Sequence, residues 1–253
     1  MPGRARSTVA EGASRGRTAA MLAVVAVAFC ILAGLGTWQV QRLAWKESLI
    51  AMMAERRAAP PQTLTEIEAI ATGGGDVDYR PIRVAGRFDH ARERHFFATY
   101  EGATGYYVYT PLTVDEGRVL FVNRGFVPFE RKDAATRGEG QAEGAVTVTG
   151  LARARLSEKP SSFVPENDEA KNIFYWKDLD AMARTAGLAP DRVLPFFVDA
   201  DATPNPGGLP VGGVTQFDLP NNHLQYAVTW YGLALALVAV TLAVVLRGRR
   251  ERN

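Results

Sequence analysis

Two long apolar runs lie near the ends of the chain, and between them the pattern changes to short stretches in which apolar and polar residues mix. Ala19 to Thr37 and Ala227 to Leu246 contain no charged side chain. A helix rises about 1.5 Å per residue and the hydrocarbon core of a bilayer is about 30 Å thick, so each run is long enough to span it. A charge at mid-span would cost roughly 2.5 to 3.5 kcal/mol, and both runs avoid that cost. The pattern predicts two transmembrane helices.

The middle of the chain reads mainly as strand. Pro81 to Phe88, His95 to Tyr100, Tyr106 to Val114, Arg118 to Val122, Val146 to Ala154 and Val193 to Asp199 are rich in Val, Ile, Phe, Tyr or Thr, with turn residues between most of them. Asp115-Glu116-Gly117 is a short connection of hairpin type, which implies antiparallel neighbours. Helix is expected from Trp45 to Arg57, continuing the first apolar run, and from Asp178 to Ala186, stopped by Gly187. Gly73 to Gly75, Asp133 to Ala145 and Thr203 to Gly208 read as loops. The expected fold class is a membrane protein of α+β type, with two transmembrane helices flanking one exported, mainly antiparallel β domain, a small barrel or curved sheet.

Charge sets the expected orientation. Arg4, Arg6, Arg15 and Arg17 precede the first helix, and Arg247, Arg249, Arg250 and Arg252 follow the second; such charge favours the cytoplasmic side. The expected organisation is a cytoplasmic basic tail over 1–18, helix over 19–41, a periplasmic β-rich domain over 42–220, helix over 221–246 and a second basic tail over 247–253. A cleaved signal peptide is the competing reading of the N-terminus, but the run exceeds the usual 7 to 15 residue core and no A-x-A-like site precedes Trp38. A transit peptide is the other alternative, since the first 18 residues are rich in Arg and Ser; Glu11 argues for a bacterial inner membrane instead of the mitochondrial one.

The net charge of +2 and the lack of a Lys/Arg-rich run in the middle of the chain leave a nucleic-acid partner without an electrostatic footprint. Cys30, the only cysteine, lies in the first apolar run, so the exported domain has no disulfide, no Cys-ligated metal and no thiol redox chemistry. There is no G-x-S-x-G elbow, H-E-x-x-H pair, Walker-type loop or dinucleotide fingerprint, and the expectation is a non-enzymatic protein. His90 and His95 would need a further donor to hold a metal, and hairpin-end histidines are the plainer reading.

The remaining histidine, His223, stands at the entrance of the second apolar run after Asn221-Asn222. At 100° per residue it shares a stripe with Tyr226, Ala227, Trp230 and Ala234, so an axial nitrogen would have aromatic faces one and two turns below it. Haem needs such a nitrogen, flat apolar surface and polar groups for its propionates, which Arg42 and Lys46 beside Trp38 and Trp45 could supply. An interfacial histidine among headgroups is the competing reading. Gly232 with Ala236, and Cys30 with Gly34, form small-xxx-small pairs expected to make the helix seam; Gly232 lies about 180° from His223, so that seam would turn the histidine stripe outward.

Five stretches in order carry a resemblance: Gly36-Thr37-Trp38-Gln39-Val40-Gln41-Arg42 with Lys46, Tyr79 to Phe88, Gly105 to Leu112, Val122 to Pro128, and Asn221 to Gly232. They resemble the surfeit locus protein 1 family of cytochrome c oxidase assembly factors. Phe126 stands where the family commonly has Trp, a change between large aromatics that core packing tolerates. The resemblance implies a non-enzymatic factor that binds haem a as cargo and assists its insertion into the catalytic subunit of the oxidase, with His223 as the iron ligand; the mechanism expected from these positions has Trp38 and Trp230 flank the ring, with Tyr226 on the same stripe, and Arg42 pair with a propionate. Open at this point are a haem-independent chaperone that stabilises a partly assembled oxidase subunit, direct supply by haem a synthase, a homo-oligomer sharing the cargo, and whether Asn123 and Arg124 act in function or only in a strand-to-turn role.

Overall fold

The computed structural model describes residues 5–215 and 220–250, with side chains for 16–215, 220–248 and 250. Arg4 and Arg252 lie outside the described residues, as do the side chains of Arg6, Arg15 and Arg249. The chain divides into two compact units, one of residues 1–52 with 218–253 and one of residues 53–217.

The second unit is a six-stranded sheet. Its strands are β1 (Pro81–Phe88), β2 (Arg94–Tyr100), β3 (Ala103–Thr113), β4 (Val119–Pro128), β5 (Val146–Ala154) and β6 (Val193–Ala200), in the order β1-β5-β6-β4-β3-β2. A further pairing of Arg87 and Phe88 with Thr113 and Leu112 joins β1 to β3 and makes the sheet barrel-like, with β2 extending beyond the closure. All pairs are antiparallel except β4 with β6. Ile82, Leu112, Leu120, Val122, Phe196 and Val198 fill one core. On the other side Tyr109, Phe121, Phe174 and Phe197 pack against α3 (Leu179–Thr185), which is capped by the Asp178 carboxylate and followed by Gly187 at φ 65°.

The sequence pattern ends the fourth strand at Val122; the structure carries it to Pro128. Three residues of β3, Tyr107 to Tyr109, are matched by four of β4, Phe126 to Asn123. The extra residue is absorbed as a bulge at Gly125, whose φ of 123° only glycine adopts without strain. Gly125 thus bends a continuing strand where its identity had suggested a breaker. A helix unforeseen in the pattern, α2 (Leu64–Thr72), begins with a capping box: Thr63 accepts from the Glu66 amide and Glu66 accepts from the Thr63 amide. Its buried Leu64 and Ile67 join the first core.

The other unit holds two long helices, α1 (Ala5–Ala58, its last turns lying in the barrel unit) and α4 (His223–Arg250). Both contain a stretch apolar enough to cross a membrane. Along α1 from Val25 to Leu49 the less exposed positions are Val25, Ala28, Leu32 with Ala33, Leu35 with Gly36, Gln39, Leu43, Lys46 and Leu49; along α4 they are His223, Ala227, Trp230, Ala234, Leu237, Thr241, Val245 and Gly248. Steps of three and four residues give a period near 3.5, the spacing of two helices packed side by side at a shallow crossing angle.

Candidate functional site

That spacing decides where His223 points. Ala227 and Ala234 are buried, and Gly36 lies so close to α4 that a Cβ there would come within 2.9 Å of the Tyr231 ring. Gly232 and Gly34 have nothing within 4 Å of the equivalent position, and Cys30 is exposed. The seam expected from the two small-xxx-small pairs is therefore corrected. Close approach occurs at Gly36, and the histidine stripe faces α1 instead of turning outward. The reason is the heptad rhythm, which places Ala227 and Ala234 inward together with His223 and leaves Gly232 on the far side.

At the head of this pair the imidazole Nδ1 of His223 lies 2.7 Å from the side-chain carbonyl Oε1 of Gln39, which is only 8% exposed. An amide carbonyl only accepts hydrogen bonds, so Nδ1 donates and the lone pair of the neutral ring resides on Nε2. Nε2 has no protein partner among the described residues. About two turns further along α1, Lys46 donates from Nζ to the carbonyl of Pro220, tying α1 to the segment that leads into α4. Below, Thr37 Oγ1 and the Tyr231 hydroxyl are hydrogen-bonded at 3.0 Å. The imidazole is thus bracketed by polar ties between the two helices.

The other sequence-predicted site residues divide between seam and surface. Trp230 is partly buried in the seam, whereas Trp38 and Tyr226 are 51% and 53% exposed. Arg42 lies with its guanidinium carbon 4.3 Å from the centre of the Trp45 ring and makes no hydrogen bond among the described residues, so its N–H groups stay available to an anion. Lys46 is committed to Pro220. His223, Trp38, Arg42 and Tyr226 occupy the same few turns of the pair, while Tyr226 does not share the buried stripe of His223. Gln39 escaped notice in the sequence because nothing in a one-dimensional pattern pairs it with a residue 184 positions away.

The barrel unit has its own cluster of titratable groups. Glu93, 4% exposed, is bound by Arg137 through both guanidinium nitrogens, accepts from Thr110 Oγ1 at 3.3 Å, and has Arg124 at 3.8 Å and His90 Nδ1 at 3.5 Å. Burial would raise its carboxyl, but the hydrogen bonds and charge of Arg137 reverse that and hold it at about 2. His95 receives a hydrogen bond at Nδ1 from the Asn172 amide, so its proton resides on Nε2; burial, with Glu93 opposing, pushes it down to about 4. His90 donates from Nε2 to the Ala142 carbonyl and accepts at Nδ1 from Arg124. Both histidine lone pairs are thus occupied by N–H donors, and no group of three His, Cys, Asp or Glu among the described residues is arranged to hold a metal.

Asn123 and Arg124 belong to this packing. Asn123 donates to Asp199 at 3.0 Å and accepts from the Gly125 amide, while Arg124 ties the Gly140 carbonyl and the Asn205 side chain to β4. Burial lowers the Arg124 guanidinium to about 10, with Glu93 opposing the fall. Asn123 thus ties β4 to β6, and Arg124 staples loops to the bulged strand.

Comparison with known sequences gives a consistent result. The family model described as SURF1 family matches residues 26–235. Surfeit locus protein 1 of Gallus gallus is 40% identical over 233 residues, covering 85% of this chain and 71% of that protein. Surfeit locus protein 1 of Homo sapiens is 40% identical over 232 residues, covering 85% and 74%. A SURF1-like protein of Monosiga brevicollis is 36% identical over 264 residues, covering 97% and 93%.

Proposed function

The chain belongs to the SURF1 family, and from that premise we propose that it is a non-enzymatic, membrane-anchored assembly factor for cytochrome c oxidase, which binds haem a on His223 and passes it to the catalytic subunit. In this reading α1 and α4 cross a bacterial inner membrane with both termini in the cytoplasm, and the barrel is periplasmic. The observation that carries it is the His223 imidazole, held between two helices with Nε2 unshared by any described residue.

Several properties of the site suit cargo haem. A neutral nitrogen lone pair is what ferrous or ferric haem takes as an axial ligand. Trp38 and Tyr226 present aromatic surface near the helix entrance, Trp230 lies on the His223 stripe two turns along α4, and the Arg42 guanidinium offers N–H donors to a propionate. With His223 as the one ligand from this chain, the iron would remain accessible to a histidine of the receiving subunit, and hand-over would require the release of a single protein ligand.

The test is a matched pair of detergent-purified proteins, unmodified and His223→Ala, each titrated with haem a. The expected result is a Soret shift and saturable binding in the first and neither in the second. Identical spectra and affinities would remove His223 from the ligand role and favour a factor that holds an oxidase subunit without touching haem.

A further inference from the structure

Resting on the reading of His223 as the iron ligand, we propose that Gln39 is a positioning residue for that ligand: its carbonyl fixes which imidazole nitrogen is presented and sets how strongly it donates to iron. Gln39 touches no cargo atom; it acts through His223.

Three observations carry this. The Nδ1 to Oε1 distance of 2.7 Å is a short, well-formed hydrogen bond. Gln39 is 8% exposed, on the α1 stripe that packs against α4, so its side chain is confined and the bond orients the ring as well as its proton. And the partner is an uncharged amide. Histidines that bind metals ordinarily donate their other N–H to a carboxylate, a backbone carbonyl or water, which raises the basicity of the ligating nitrogen. A carboxylate gives the imidazole most imidazolate character and the tightest hold; a neutral carbonyl gives less. At the mouth of an apolar helix pair a buried carboxylate would also carry a large desolvation cost, whereas an amide carries little. An amide acceptor therefore combines a fixed tautomer with a bond to iron of intermediate strength, which is what a protein that must release its cargo needs.

Two variants move the ligand in opposite directions. Gln39→Leu removes the acceptor at similar volume; Gln39→Glu supplies a stronger one. For purified protein loaded with ferrous haem, the iron–histidine stretching frequency is expected to fall in the Leu variant and to rise in the Glu variant. Haem affinity is expected to drop about 10- to 100-fold with Leu, the range seen when the outer partner of a metal ligand is removed. Transfer to an excess of apomyoglobin as acceptor is expected to slow with Glu. A merely structural role for Gln39 would shift stability without moving the iron–histidine band in two directions. If His223→Ala abolishes the Soret shift while both Gln39 variants keep the band and affinity of the unmodified protein, the role of Gln39 is overturned and that of His223 stands. If His223→Ala leaves the Soret shift intact, both are overturned. Should the Leu variant fail to fold, the Glu variant alone decides, because an unmoved band in it contradicts the proposal.

Discussion

The carboxylate of Glu93 in the barrel is held by Arg137, with Arg124, His90 and Thr110 around it, and the lone pairs of both nearby histidines are occupied by donors. The imidazole of His223 in the helix pair has one neutral partner and a nitrogen left over. Polar groups taken out of water must be satisfied, and the more completely they are, the less they can offer a ligand. The barrel spends its titratable groups on holding itself together. The helix pair keeps one in reserve. Stability and cargo binding are therefore expected to respond to different substitutions.

The sharpest way to break that division is Gly125→Ala. At φ 123° a Cβ would sit 1.9 Å from the Val211 carbonyl oxygen, a contact with backbone that cannot yield. The expected loss is more than about 4 kcal/mol, in the range reserved for strain at a special backbone position, read as a collapse of folded yield and of the β signal in circular dichroism. Next is Glu93→Gln, which strands Arg137 and Arg124 in the interior and is expected to cost about 3 to 5 kcal/mol in denaturant midpoint. The folded fraction of this variant is expected to bind haem a with unchanged affinity. A parallel fall in affinity would show that the two regions are not separate in function.

Acid provides a graded version. Folded His95 takes up its proton at about 4 and the unfolded chain near 6.5, so between these values the unfolded chain binds more protons and stability falls as pH drops, by roughly 1.4 kcal/mol per unit. Glu93, at about 2 folded against 4.5 unfolded, continues the loss with the same sign from about 4.5 downward. Denaturant midpoints measured from pH 7 to 4 are expected to slope downward, and His95→Gln is expected to flatten that part of the curve. The smallest effect is Thr63→Ala, which removes one side of the α2 capping box and is expected to lower stability by about 1 kcal/mol with haem binding untouched, checked by thermal melting alongside a Soret titration.

Where local rules decide, the sequence was readable. β1 and β5 run over the residues their β-branched and aromatic pattern marks, and α3 ends at the glycine that marks its stop. Thr63-Leu64-Thr65-Glu66 is a start signal for α2, but the nine helical residues it opens are too few for a helical period to stand out from the sequence. β4 was cut short because Gly125 serves equally in a turn and in a bulge, and only the pairing with β3 distinguishes them. The same holds for the site. The stripe of His223 and Trp230 follows from helix geometry within one segment, but which way it faces depends on a second helix, and there the small-xxx-small pairs pointed to the wrong side. Gln39 as partner of His223 lay beyond reach for that reason.

The bond between Gln39 and His223 has a consequence for biogenesis. Its donor and acceptor are separated by 184 positions, the acceptor on α1 and the donor on α4. Until α4 has been synthesised and has docked against α1, the His223 imidazole is neither present nor oriented. On the proposed reading, products truncated before α4 are expected to bind no haem, since they lack both the ligand and the helix that confines its partner.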